Sequence, residues 1–144
     1  MRYEIKDRYE KYLIFATEAD SFKLAVEIAF KRHISLSGAD LSRVDLSGVN
    51  LAKADLVKTD LSQSNLSGAN LYGADLSRSN LSGADFSGSN LYAADLSGAN
   101  LSNANFSKSD LSGSELSGAN LTGVNFTESE MLGAHLPAAA RLAA

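Results

Sequence analysis

A large apolar residue stands at every fifth position from Leu36 to Leu136, 21 times without a slip, and no other feature constrains the fold as tightly. Seventeen of these residues are Leu; the others are Phe86, Phe106, Phe126 and Met131. A slower period lies on top of the first. Residues 67–86, SGANLYGADLSRSNLSGADF, agree with residues 87–106, SGSNLYAADLSGANLSNANF, at 14 of 20 places, but a slip of five leaves only 7 of 20. A beat of five fits neither a continuing strand, with a period of about two, nor a helix, with a period of about 3.6. It demands a short extended piece followed by a bend. The stronger echo at twenty says that four bends close one coil.

With the apolar residue as position i, position i−2 holds ten Ala, six Ser, three Val, Thr59 and Ile34. Side chains of an extended segment alternate faces, so i−2 and i both point inward. Position i−1 is almost always Asp or Asn, position i+1 is usually Ser, and both point outward. All eleven glycines fall at i+2, where a bend asks for backbone angles that other residues resist. Asp, Asn and Ser beside the bend bond neighbouring backbone groups in turns.

The expected architecture is an all-β solenoid of square section, with four pentapeptides per coil and about five coils, rising roughly 4.8 Å each like stacked strands. Residues twenty apart then form vertical columns. Phe86, Phe106 and Phe126 make a core ladder, and Tyr72 and Tyr92 stack on an outer wall. Beside them, Asn50, Asn70 and Asn90 form a candidate amide ladder of the kind stacked strands use.

A solenoid needs capped ends, because an open coil exposes apolar core and unpaired strand edges. Residues 3–6 and 12–17 read as two short strands of a hairpin. Phe22, Ala25, Val26, Ala29 and Phe30 then follow the spacing of one helical face, with Asp20 or Ser21 as its N-cap. The expected organisation is a hairpin and helix cap over 1–33, the repeat tract over 34–136 and a tail over 137–144. The tail holds the only proline, Pro137. It folds over the last coil through Leu136 and Leu142, or it leaves that coil to pair with a second copy in a homodimer.

Composition narrows the function. Residues 34–144 carry six Lys/Arg against eleven Asp/Glu, a net −5, whereas a direct nucleic-acid ligand calls for clustered basic residues. The absence of cysteine excludes disulfides and thiolate metal sites. No apolar run approaches the ~20 residues of a membrane helix, and MRYEIKDRYEKYLIF has no signal pattern. The expectation is a cytoplasmic protein without a membrane partner.

Asp55, Asp75, Asp95 and Glu115 should stack carboxylates about 5 Å apart, an arrangement that can share protons or hold a cation. Lys58 and Arg78 interleave with them, and the uniform serines have no base, since His33 and His135 lie at the ends of the tract. The chain therefore reads as a non-enzyme with no catalytic residue, metal or cofactor. Tyrosine favours interfaces. Tyr72 and Tyr92, with Asn70, Asn90 and the carboxylate column, are the candidate face for a protein partner.

The units GADLS, GANLY and GSNLY match A-[DN]-L-x-x, and the tract closely resembles the pentapeptide-repeat proteins. The resemblance implies a right-handed quadrilateral β-helix, and for many bacterial members a scaffold role. It also implies an alternative, because some members imitate a DNA duplex, bind DNA gyrase and protect it from quinolones. A duplex carries one charge per ~1.7 Å, so five coils spanning about 25 Å call for roughly fifteen negative charges. The net −5 of residues 34–144 falls well short of that, and the projecting loops usual in gyrase-protecting members are missing.

Overall fold

The computed structural model describes residues 1–142. From Asp40 onward, residues twenty apart pair in parallel: Asp40 with Asp60, Asp45 with Asn65, and so on to Glu115 with His135. Since each unit is five residues long, one coil takes four units. Three sets of backbone bonds tie each coil to the next; in one, the N–H at i+2 donates to the carbonyl at i+1 of the following coil, as Gly73 does to Tyr92 at 2.9 Å. The N–H at i donates to the carbonyl nineteen residues on, as Leu71 does to Asn90 at 2.7 Å. The N–H at i−1 donates to the carbonyl twenty-one residues back, as Asn90 does to Ala69 at 2.9 Å. The chain is thus a β-solenoid, stacked coil on coil.

The interior is a column of leucines. Every residue at i from Leu41 to Leu116 is fully buried, and each such side chain removed from water is worth roughly 1.5–3 kcal/mol. Phe86 and Phe106 stack with centroids 4.7 Å apart and planes 3° from parallel. Phe126 continues the ladder at 5.9 Å but is only partly buried. Polar residues at i−2 keep their hydroxyls bonded inside: Ser109 donates to the Phe106 carbonyl at 2.6 Å, and Thr59 and Ser79 share a bond of 3.0 Å. Ser114 is the exception. Its buried Oγ has no partner among the described residues.

The bends have a single backbone solution. Every i+2 residue from Gly38 to Gly133 lies in the left-handed region, with φ between +57° and +74°. Nine of them are not glycine, among them Lys53, Arg78 and Ala93. The stack therefore holds these residues in a conformation that costs an L-residue about 1–2 kcal/mol.

Strands β1 (Arg2–Lys6) and β2 (Leu13–Glu18) pair antiparallel, and helix α1 spans Phe22–Lys31. Of the two candidate caps it is Ser21 that accepts from the Leu24 N–H, at 3.1 Å. Ala25, Val26 and Ala29 face inward, and Ile5, Val26 and Ala29 share the leucine core. The hairpin also supplies edge bonds to the first coil: Asp40 N–H donates to Lys6 O, and Arg8 N–H to Gly38 O. At the other end, α2 (Ala138–Leu142) is one short turn of helix. The expected contact of the Leu142 side chain with the last coil lies outside what the structure describes.

Candidate functional site

The outer surface is built by one repeated device. From Asp40 to Asn125, every side chain at i−1 accepts the backbone N–H two residues later, as Asp95 does from Ser97 at 2.9 Å and Asn125 from Thr127 at 2.9 Å. Asp and Asn fit because a short side-chain oxygen can mimic a backbone carbonyl in a turn. Ser or Thr at i+1 adds its hydroxyl to the same acceptor in several units, as Ser77 does to Asp75 at 2.6 Å. The regular Asp, Asn and Ser are therefore occupied in closing turns.

This occupation corrects one expectation. Asn50, Asn70 and Asn90 do not form an amide ladder: each Oδ1 accepts from its own turn, at Ala52, Tyr72 and Tyr92, and no bond joins one amide to the next. Side-chain bonds between coils occur in other columns, from Asn125 to Asn105 at 3.2 Å and from Asn120 to Asn100 at 3.4 Å.

The column of Asp55, Asp75, Asp95 and Glu115 lies in register on one face. Ser35 donates to Asp55 at 2.7 Å, and Glu115 meets His135 at 2.9 Å. Hydrogen bonds from the Ser117 side chain, from His135 and from the Ser117 N–H hold the Glu115 carboxyl down at about 2. Neither Lys58 nor Arg78 forms an ion pair with the column. Among the described residues, no cluster of His, Asp and Glu has the geometry to hold a metal.

Tyr72 and Tyr92 occupy the i+1 position at one corner. Their rings stack 5.8 Å apart, 7° from parallel, and are 39% and 46% exposed. Lys53 lies against the far face of Tyr72, its Nζ 5.9 Å from the ring centroid. Its stem crosses Gly73, where an added Cβ would sit 3.4 Å from Lys53 Cγ. The structure thus brings the two tyrosines together and sets Asn70 and Asn90 beside them on one face and the carboxylate column on the other.

Sequence reading missed Lys53 as a member of this corner and did not join the outward-pointing Leu132 to it. The signal was present in the register. Of twenty i+1 positions from Ser37 to Leu132, fifteen are Ser or Thr, and four of the five exceptions (Ala52, Tyr72, Tyr92 and Leu132) fall at multiples of twenty. One corner of the solenoid has lost its hydroxyls in every unit except that of Ser112.

Eight copies of the pentapeptide-repeat family model match, over residues 32–68, 69–107, 89–128 and 104–139. The chain is a pentapeptide-repeat protein. Among solved structures, this pentapeptide-repeat protein is similar to Rfr23 of the cyanobacterium Cyanothece 51142, with 35% identity over 71% of this chain and 83% of that one, at a TM-score of 0.49. It is also similar to a pentapeptide-repeat protein of the Arabidopsis thaliana thylakoid lumen, 38% identical over 66% and 63% of the two chains, TM-score 0.43. The plasmid-mediated fluoroquinolone resistance protein QnrB1 is similar at 14% identity over 71% and 62%, TM-score 0.32, and carries no argument about activity. No curated protein sequence matches.

Proposed function

We propose that the protein is a non-enzymatic interaction scaffold, a right-handed quadrilateral β-helix of about five coils that presents the Tyr72–Tyr92 corner to a protein partner. One observation carries this reading. The turns at Asn70 and Asn90 close through the Tyr72 and Tyr92 N–H groups alone, at 3.1 and 3.0 Å. The coil therefore has no use for an aromatic ring there, and two half-exposed rings are kept in register. Stiff aromatic rings of this kind are enriched at protein interfaces.

A photo-crosslinking residue at Ser112, on this corner, and at Ser102, on the opposite one, tests the reading in living host cells. A discrete protein adduct from position 112 and none from 102 is expected. Equal labelling, or no adduct from either, would sink it.

The stacked Asp55, Asp75, Asp95 and Glu115 favour the second reading, a DNA mimic acting on gyrase, although the column supplies few charges. Gyrase supercoiling in the presence of the protein, with and without a quinolone, decides it. No inhibition and no protection disposes of mimicry. The last coil, where Leu121, Val124 and Phe126 are only partly buried among the described residues, also favours a C-terminal homodimer over a monomer, and sedimentation at concentrations well above micromolar separates the two.

A further inference from the structure

The Tyr72–Tyr92 stack has two outer faces. Lys53 occupies one, its stem lying over Gly73. The face of Tyr92 that looks toward the last coil meets no cation of the described residues. On that side the corner steps down to Ser112 and Gly113 and rises again at Leu132, which is 88% exposed. Two coil spacings, about 10 Å, separate Tyr92 from Leu132 along the corner. The floor between them is small: a Cβ placed on Gly113 would find nothing nearer than the Ala93 nitrogen, at 4.0 Å. The result is a slot with an aromatic wall, an aliphatic wall and a floor of one small side chain, Ser112, beside the bare backbone of Gly113.

The rim of the slot is acidic. Asp95 and Glu115 lie on the face that follows the corner, Asp110 and Glu130 on the face that precedes it. Glu115 engages His135, while Asp95, Asp110 and Glu130 have no ion pair among the described residues. The nearest basic residues by position, Lys108 and Arg78, stand on the two neighbouring corners and pair with none of the three.

We infer that this slot receives a cationic side chain, an arginine of an extended basic segment on a partner protein, with its guanidinium on the free face of Tyr92 and its charge met by Asp95 and Asp110. Resting on the reading of this corner as the contact surface, the inference adds the chemistry of the partner. Lys53 is the internal precedent: a cation reaches the other face of the same stack by laying its stem across a glycine. Arginine suits the open face better than lysine, because a planar guanidinium can stack on a ring and bond a carboxylate at once. A neutral apolar side chain would fill the slot but leave the rim carboxylates of Asp95 and Asp110, bonded among the described residues only within their own turns, without a cation.

The test uses the intact protein and the peptide acetyl-Gly-Arg-Leu-Gly-amide, followed by NMR at low salt. Saturable shifts are expected at the Tyr92 ring, Ser112 and Gly113. The peptide with neutral citrulline in place of Arg should bind at least tenfold more weakly, and a rise in salt to about 0.5 M should remove most of the effect. Tyr92→Ser restores the residue used at most corners and should keep the fold while weakening binding several-fold. Tyr92→Phe should retain binding, and Asp110→Asn should weaken it about threefold.

Equal binding of the citrulline peptide, an unchanged affinity in Tyr92→Ser, or shifts spread evenly over all four corners would each overturn the inference. Self-association of the protein through this corner without peptide would also overturn it, in favour of a second copy. If the peptide fails while Ser112 still yields its cross-link, the cationic occupant is wrong and the scaffold reading stands.

Discussion

At the first coil, Ile5, Val26 and Ala29 are wholly buried against the leucine column, and Lys6 and Arg8 supply edge bonds to Asp40 and Gly38. At the last, Leu121, Val124 and Phe126 are only partly buried, and Leu132 is almost fully exposed. The N–H groups of Leu121, Phe126 and Met131, which in earlier coils donate to the coil that follows, have no partner among the described residues. Since a stacked coil is satisfied only by its neighbours, the contrast teaches that stability should fall from the N-terminal, capped end toward the C-terminal one.

The largest test of this contrast places a charge at each end. Ile5→Lys buries an ammonium without a partner, and cooperative unfolding in urea followed by circular dichroism should be lost. Leu132→Lys, at a solvent-exposed corner, should stay within about 0.5 kcal/mol of the parent.

Truncations sharpen the gradient. Leu41→Ala, fully buried beneath the cap, should cost about 2–5 kcal/mol by urea denaturation. Leu121→Ala, on the half-open coil, should cost less than about half as much. Equal costs would mean that the last coil is covered in solution and that the contrast between the ends belongs to the monomer alone.

Smaller effects come from the corner between these ends. Ala93 holds φ at +58°, so Ala93→Gly should raise stability by about 1 kcal/mol, read as a higher melting temperature. Gly113→Ala, in the same column at φ +67°, should lower it by a similar amount, about 1 kcal/mol.

The weakest probe is acid. Glu115, tied to the last coil through His135, has its carboxyl lowered from 4.5 to about 2. A depressed folded value gives stability that is fully present above the unfolded value and is lost as pH falls from about 4.5 toward 2. Carbon-detected NMR titration should place the Glu115 midpoint well below the ordinary range, and His135→Ala should move it up. An unmoved midpoint would remove His135 from the link between these coils.

Much of the fold was legible because each unit repeats one solution: Leu at i, a small residue at i−2 and a bend at i+2 leave few alternatives. The cap helix was readable from a single face ending at Phe30, and the choice of Ser21 over Asp20 was not, since both are good caps. Reading the bends from glycine understated them. Arg43, Lys58 and Gln63 take the same left-handed angles because the ladder on both sides fixes the backbone whatever the side chain. The Asn50–Asn70–Asn90 column was misread for a related reason. A column of amides suggests bonding between coils, but the local turn claims the oxygen first. The two tyrosines were visible as a pair. Lys53 escaped notice because a basic residue at a bend looks like decoration until its reach across Gly73 is known.

The twenty-residue register also dictates how such a chain can change length. Duplication or loss of a twenty-residue block adds or removes one storey and leaves every column where it was. An insertion of five residues between Gly73 and Leu91 would preserve the core pattern yet turn all later residues by one side of the square. Tyr92 and Leu132 would then leave the corner held by Lys53 and Tyr72, and the slot beside Tyr92 would move away from the stack's cation. A lineage of such proteins is free to vary in height by whole storeys, and single-unit slips would be seen only where the decorated corner has no task.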